Sequence, residues 1–210
     1  MAPVTPPRRC LIVRAHPLGG SLNAHLAAEA EDAARSAGWQ VVVRDLYASG
    51  FDPRLTAVER ASYYTGFAGD GIAEEQAELA AAEVLILIFP TWWSGFPAIL
   101  KGWFDRVWSP GTAFDHSPGF GPMLPRLQAL REVMAITTMG APGWVDWLVL
   151  RRPLKRILKW GIVRPCAPGA KVRWRCLYKA EAAVPRRIAG FHATFRTDIN
   201  AIARRLQCPE

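Results

Sequence analysis

The chain has 210 residues, of which half are hydrophobic and 21% are charged, a size that suits one sizeable core and a single domain over residues 1–210. No apolar run reaches the ~20 residues of a membrane-spanning helix, and residues 1–8 lack a signal peptide's apolar stretch, so we expect a short disordered leader there. The net charge of +8 permits an anionic ligand, but without any nucleic-acid-binding motif it does not favour a nucleic acid.

The first part of the chain alternates strand-length apolar runs with helical patterns. Cys10–Val13 predicts a buried strand, followed by an Ala-rich helix from Leu22 to Ser36 and a second strand from Gln40 to Arg44. A polar stretch from Ser49 to Asp70 predicts a loop with a short helix. The next helix is predicted over Ala73–Ala82.

The second part continues the alternation. Val84–Phe89 is apolar on both faces, as expected for the central strand of a parallel sheet covered by helices. The remaining predicted elements are a helix over Pro97–Trp108, an irregular stretch over Ser109–Pro125, a strand over Glu132–Thr137, a helix over Val145–Trp160, a strand over Val172–Tyr178 and a closing helix over Pro185–Arg205.

This alternation predicts an α/β fold with a doubly wound parallel sheet. Five strands with helices on both faces suit the flavodoxin-like order 2-1-3-4-5. In that architecture ligands bind beyond the carboxyl ends of the strands, near the switch in strand order. The loops after the first, third and fourth strands are therefore the places to look for a site.

The loop after the first strand ends at a helix N-terminus, where backbone N–H groups and the helix dipole attract phosphate. Gly19 and Gly20 allow close approach of an anion, and Ser21 and Asn23 add a hydroxyl and an amide. His16 can donate to a phosphate oxygen, although it is equally a surface residue beside a helix capped by Ser21. Neither a GxGxxG nor a GK[ST] motif is present.

The loop after the third strand carries Trp92, Trp93 and Phe96 between Pro90 and Pro97. Aromatic faces on a restricted backbone suit a flat heteroaromatic ring. The alternative is that these side chains fill core, and we expect that of Phe96. The loop after the fourth strand, from Thr137 to Trp144, offers hydroxyls, a glycine and N–H groups to the other side of the same ring.

Four cysteines, Cys10, Cys166, Cys176 and Cys208, show no CxxC spacing and no neighbouring histidines. We therefore expect neither a metal nor a disulfide framework, and a reducing cytoplasm as the compartment. Ten Lys and Arg residues lie between Asp146 and Lys179, with Asp146 the only acid. Such a run is a solvated face as often as a binding surface.

Specific stretches match a known family. They are Ala15–Pro17 with Ser21–Asn23, Asp45–Tyr47, Glu75–Gln76, Phe89–Gly95 with Pro97–Val107, and Ile136–Gly140. The chain resembles the NAD(P)H dehydrogenase (quinone) family of DT-diaphorase-like, flavodoxin-fold flavoproteins. The resemblance implies an NAD(P)H:quinone oxidoreductase that moves two electrons as hydride by a ping-pong reaction through bound FAD, or alternatively FMN.

The resemblance also implies a homodimer with active sites at the interface. Carried onto matching positions, the flavin-contacting residues are His16, Ser21, Leu22, Asn23, Gln76, Pro90, Thr91, Trp92, Trp93, Ser94, Thr137, Thr138, Met139 and Gly140. Phe114, Asp115 and His116 match the substrate-side segment, usually supplied across the dimer. No catalytic side chain is assigned, because the chemistry resides in the flavin and needs no side-chain nucleophile.

Two departures from the family pattern leave the acceptor side open. Well-known members carry a Tyr and a His that assist hydride transfer, and Gly143–Lys155 contains neither; Met139-Gly140 also replaces two glycines. A second hypothesis is therefore a non-catalytic flavin-binding partner of a membrane transporter. Apolar and basic residues interleave from Trp147 to Trp160, which predicts core, a dimer contact or a peripheral membrane contact. A flavodoxin-type electron carrier is disfavoured by the pI near 9.8.

Overall fold

In the computed structural model, residues 8–207 are described, so the expected leader lies outside the described residues except for Arg8. The strands are β1 (Arg9–Arg14), β2 (Gln40–Asp45), β3 (Val84–Pro90), β4 (Phe114–Asp115), β5 (Leu124–Pro125), β6 (Glu132–Met139) and β7 (Lys171–Tyr178). Five of them form a parallel sheet in the order β2-β1-β3-β6-β7, and β4 pairs with β5 in a separate antiparallel hairpin. Counting only the strands of the main sheet, this is the predicted order 2-1-3-4-5.

Helices connect the strands. They are α1 (Leu22–Ser36), α2 (Ala57–Ala61), α3 (Ala73–Ala81), α4 (Ala98–Val107), α5 (Pro153–Arg156), α6 (Arg164–Cys166) and α7 (Pro185–Gln207). Two π-helical segments, Val145–Val149 and Ile157–Val163, and two 3-10 turns, Pro118–Phe120 and Ala180–Ala182, complete the helical structure. The predicted bounds of the first helix coincide with those of α1. No helix within residues 8–207 is both long and apolar enough to cross a membrane.

The central strand β3 divides the core in two, because successive side chains point to opposite faces of a sheet. Val84, Ile86 and Ile88 pack with α1 and α7 on one face. Leu85 and Leu87 pack with α4 on the other. All seven residues of β3 are buried, as predicted for a strand covered on both sides. The sheet is therefore covered on both faces, and the loops at its edge are where a ligand can enter.

Three local predictions were wrong. The helix expected over Val145–Trp160 is broken at Arg151 and Arg152, whose φ angles of 57° and 53° are left-handed. Pro153 disfavours the helical conformation at the residue before it, which explains the break. The strand expected to end at Thr137 continues to Met139 as β6. The stretch Ser109–Pro125 is not wholly irregular, since it contains the β4–β5 hairpin.

A buried ion pair fastens the long loop between β2 and α3. Arg106 of α4 donates from Nε and Nη2 to Glu59 Oε1 at 2.9 and 2.7 Å. Its Nη1 donates to the Asp52 carbonyl oxygen at 2.7 Å, and its Nη2 also donates to the Asp70 carbonyl oxygen at 2.8 Å. Glu59 also accepts the Thr56 backbone N–H at 2.7 Å. Burial alone raises the pKa of Glu59, but the hydrogen bonds from Arg106 and Thr56 outweigh it and hold that pKa below its ordinary value.

Candidate functional site

An open cleft of about 240 Å³ lies where β1, β3 and β6 end. Its lining residues are His16, Leu22, Asn23, Pro90, Thr91, Trp92, Thr138, Gly140, Ala180 and Glu181. The three loops selected from the sequence therefore meet in one place. A second cavity, of about 310 Å³, lies between β1, β2 and α3 at the amino ends of those strands, away from the switch in strand order.

The first turn of α1 forms one wall of the cleft. Ser21 is the N-cap, and its Oγ accepts the Ala24 N–H at 3.2 Å. The hydroxyl is thus a helix cap, as the alternative interpretation held. Nδ1 of His16 accepts the Leu18 N–H at 3.1 Å. A neutral His16 therefore carries its proton on Nε2, which makes that atom a hydrogen-bond donor.

Asn23 connects α1 to β6 at the floor of the cleft. The side chain is buried, and its Nδ2 donates to Thr138 Oγ1 at 3.2 Å. Its Oδ1 is buried without a hydrogen-bond partner among the described residues. Because an unpaired buried acceptor costs about 1–3 kcal/mol, this atom offers a place for a ligand's hydrogen-bond donor.

A tight turn presents the tryptophan pair. The Trp92 N–H donates to the Gly95 carbonyl oxygen at 3.3 Å, and the Gly95 N–H donates to the Trp92 carbonyl oxygen at 2.8 Å. Between them Trp93 and Ser94 adopt left-handed φ angles of 51° and 56°. Trp93 is fully exposed, and the ring of Trp92 lies 6.1 Å from that of His16.

A large aromatic residue at positive φ with no packing partner is unusual enough to suggest a binding role. Phe96 behaves differently, since its ring lies 5.3 Å from both Phe89 and Phe104 and packs against the core. The prediction that Phe96 fills core is confirmed.

The end of β6 contributes only some of its predicted residues to the cleft. Thr138 and Gly140 line it. Thr137 instead bonds Thr91 through the two hydroxyl oxygens at 3.0 Å, and the Thr91 N–H donates to the Thr138 carbonyl at 2.7 Å. The buried Met139 faces a separate small cavity that Ser94 also lines. These bonds fix the β3 loop against β6.

The other predicted site residues lie apart from the cleft lining. Gln76 donates from Nε2 to Ser109 Oγ at 2.9 Å on the α3–α4 side of the sheet. Phe114 and His116 join an aromatic cluster in which the His116 ring lies 4.6 Å from Tyr64. Asp115 pairs with Arg126 at 2.7 Å.

Sequence reasoning missed the loop after β7. This loop brings Ala180 and Glu181 to the cleft, and a Cβ on Gly140 would lie 3.0 Å from the Glu181 carboxylate oxygens. The parallel order itself was the available signal, because the carboxyl end of a fifth parallel strand lies at the same edge.

The sequence analysis also missed a hydrogen-bonded group formed by Tyr178, Asp146 and Trp147. The Tyr178 hydroxyl donates to the buried Asp146 Oδ2 at 2.6 Å and accepts from Trp147 Nε1 at 2.9 Å. Burial and the bond to Asp146 raise the pKa of Tyr178 above its ordinary value. The guanidinium of Arg152 lies 3.9 Å from the centre of a Trp147 ring.

Part of the basic stretch is neutralised within the chain. Arg175 binds Asp198 at 2.5 Å, and Arg173 lies 3.4 Å from Glu132, which also accepts from Arg205. Arg175 is therefore ion-paired with α7 and Arg173 with the neighbouring strand β6, so neither is freely offered to phosphate.

Comparison with known proteins identifies the family. A family model described as flavodoxin-like fold matches residues 8–160. NAD(P)H dehydrogenase (quinone) 1 of Rattus norvegicus is 36% identical over 153 residues, covering 64% of this chain and 54% of the rat protein. The chain thus spans about half the length of that relative.

Solved structures show the same fold over nearly the whole chain. Smu.1420 from Streptococcus mutans is 27% identical with a TM-score of 0.76, covering 92% of this chain and 99% of that one. The NAD(P)H:quinone oxidoreductase of Methanothermobacter marburgensis has a TM-score of 0.80 at 20% identity, covering 94% of this chain and 98% of that one.

Proposed function

The chain belongs to the family of proteins with a flavodoxin-like fold, and from this premise we propose that it is a flavin-dependent NAD(P)H oxidoreductase that reduces a quinone or a related acceptor. The observation that carries the proposal is the cleft where the His16–Asn23 loop, the tryptophan turn and the end of β6 meet. The name of the rat relative supports the same activity.

The residues of the cleft fit a flavin nucleotide. The first turn of α1, with His16, Ser21, Leu22 and Asn23, offers backbone N–H groups and an imidazole to the phosphate part. The unpaired Oδ1 of Asn23 offers an acceptor to a hydroxyl or N–H of the ligand. Because α1 points its N-terminus at the cleft, its dipole adds to the attraction for phosphate.

We assign the flat ring of the flavin to the walls formed by the tryptophan turn and by the end of β6. Pro90, Thr91, Trp92, Trp93 and Ser94 would line one side, and Thr137, Thr138, Met139 and Gly140 the other edge. Ser94, Thr137 and Met139 would act through their backbone, since Ser94 and Met139 line the separate small cavity and the Thr137 hydroxyl bonds Thr91. We retain Gln76 as a contact only through a partner chain, because its amide lies on the α3–α4 side.

A bound flavin would supply the redox chemistry, accepting a hydride from NAD(P)H and passing two electrons to the acceptor in separate half-reactions. The protein's part is to orient the ring, exclude water and aim N–H dipoles at it. We favour FAD over FMN, as the family resemblance implies. The open pocket beyond the ring would be completed by Phe114, Asp115 and His116 of a second copy in a homodimer.

The exposed apolar residues after β6 support a homodimer. Trp147, Leu148, Ile157 and Trp160 are all at least half exposed, whereas Leu154 and Leu158 of the same stretch are buried. Several large apolar side chains exposed in one short stretch suit an interaction surface. We also propose the cytoplasm as the compartment, which the free thiols of Cys10, Cys166 and Cys176 suit.

The test separates the two half-reactions. The purified protein is loaded with FAD or FMN, freed of excess, and mixed anaerobically with NADH or NADPH while flavin absorbance is recorded. A quinone is then added. We expect bleaching by a nicotinamide donor and recovery with quinone; an oxidised spectrum unchanged by either donor would contradict the activity.

A non-catalytic flavin-binding partner of a membrane transporter remains the second candidate. The exposed Trp147–Trp160 surface carries Arg151, Arg156 and Lys159, which suits anionic lipid. Co-sedimentation with vesicles containing phosphatidylserine, lost in Arg151→Glu, together with flavin that no donor bleaches, would favour this candidate. Dimers that leave vesicles unbound would favour the first.

A further inference from the structure

On the outer face of the α1–α7 pair, three metal-binding side chains meet. His25 and Glu29 lie one helical turn apart on α1, and His192 comes from α7, which packs against it. One potential ligand atom from each lies within 4.8 Å of the other two. The rings of His25 and His192 are 4.8 Å apart, centre to centre, at 61°.

We propose that His25, Glu29 and His192 form a binding site for a divalent transition-metal ion such as Zn²⁺. Two imidazoles and one carboxylate are a ligand set that Zn²⁺ takes in proteins, with a fourth position left to water. Tetrahedral ligands around Zn²⁺ lie roughly 3.4 Å apart, so ligand atoms that now lie within 4.8 Å of one another must approach by up to about 1.4 Å on binding. His25 is exposed and Glu29 half-buried, which gives both the freedom to move.

The state of His192 is a second, independent observation. Its Nε2 is buried and has no hydrogen-bond partner among the described residues. Buried polar atoms are normally paired, so this nitrogen lacks the partner that a metal ion would provide.

The guanidinium of Arg196 already lies beside Glu29. Arg196 lies 3.2 Å from a Glu29 oxygen and 2.8 Å from Asp32. Its guanidinium can remain on Asp32 when Glu29 turns to a metal ion, so the exchange leaves no charge unpaired. Spacing along the sequence predicts no metal here, because only the packing of α7 on α1 brings His192 to the other two residues.

The experiment uses tag-free protein treated with a chelator and then dialysed. Zn²⁺ is titrated by calorimetry, and Co²⁺ is added separately to report coordination by its visible absorption. We expect one Zn²⁺ per chain and the strong visible bands of tetrahedral Co²⁺. His25→Ala, Glu29→Gln and His192→Ala should each weaken Zn²⁺ binding more than about tenfold, since even outer-sphere partners are worth that much.

Matched controls keep the test decisive. Glu31→Gln removes a carboxylate that pairs with Arg35 on the same helix, and His116→Ala removes an imidazole far from the site; both should bind Zn²⁺ like the original chain. Circular dichroism checks that each variant is folded. Absence of saturable Zn²⁺ binding and of tetrahedral Co²⁺ bands, or equal affinity in folded His192→Ala, would overturn the proposal. No flavin is needed for any of these readouts.

Discussion

The buried pair Glu59–Arg106 gives the sharpest stability prediction. Glu59 is 0% exposed and Arg106 is 5% exposed, so neither charge is screened by water. Removing one member of a buried pair costs about 3–5 kcal/mol, because the other charge is left uncompensated. In Glu59→Gln the amide oxygen can still accept from Arg106 but has no charge. We therefore expect Glu59→Gln to lower the free energy of unfolding by about 3 kcal/mol, the lower end of this range.

At 2–4 °C per kcal/mol for a chain of this size, the loss lowers Tm by roughly 6–12 °C. Urea unfolding followed by circular dichroism measures the free energy directly. The double variant with Arg106→Met should lose less than the sum of the two single variants. Glu31→Gln, which breaks an exposed helical pair with Arg35, is the control and should cost at most about 0.5 kcal/mol.

The same pair predicts a pH dependence. The pKa of Glu59 is lower in the folded than in the unfolded chain. Its contribution to the free energy of unfolding is therefore complete above the unfolded pKa, about 4.3. It is lost as the pH falls through the folded pKa. The stability difference between the original chain and Glu59→Gln should therefore shrink below about pH 4. A Glu59→Gln variant as stable as the original chain at pH 7 would refute the reasoning.

Three further predictions concern the candidate site. Trp93→Ala should weaken flavin binding at least about tenfold in a fluorescence titration, yet change the unfolding free energy by less than about 0.5 kcal/mol, because the side chain is fully exposed. Asn23→Ala should weaken flavin binding roughly five- to tenfold in the same titration, the value of one hydrogen bond. Tyr178→Phe should cost about 1–3 kcal/mol in urea unfolding, because it leaves the buried Asp146 carboxylate without the Tyr178 hydroxyl as its donor.

Each of these has a contrary result. Trp103 is fully buried, and Trp103→Ala should cost about 3–5 kcal/mol; a similar loss in Trp93→Ala would mean that Trp93 supports the fold. Unchanged flavin affinity in Asn23→Ala would show that Asn23 Oδ1 does not bind the flavin. A Tyr178→Phe variant as stable as the original chain would show that Asp146 does not depend on this hydroxyl.

Local patterns predicted the sheet well. The doubly apolar β3 and the Ala-rich α1 have the expected bounds within a residue, because burial on two faces and helical periodicity are written in neighbouring residues. The strand order followed from connection rules. The break in the helix at Arg151 and Arg152 was not predicted, because nothing in the sequence except the following proline indicates that these two arginines adopt left-handed φ angles.

The candidate site was predicted in part for the same reason. Loops after β1, β3 and β6 meet because parallel strands share an edge, and the sequence order of motifs shows this. Which side chains turn into the cleft depends on the pleat of β6, so Thr138 lines it while Thr137 and Met139 face away. Contacts such as Glu59–Arg106, 47 residues apart, need the folded chain.

We propose above all that the cleft beside the tryptophan turn holds a flavin. An equilibrium titration of flavin-free protein with FAD and with FMN, following flavin fluorescence, tests this most directly. We predict saturation at one flavin per chain with strong quenching by the stacked aromatic residues, and weaker binding in Trp93→Ala. Fluorescence unchanged by excess protein, for both flavins, would contradict it.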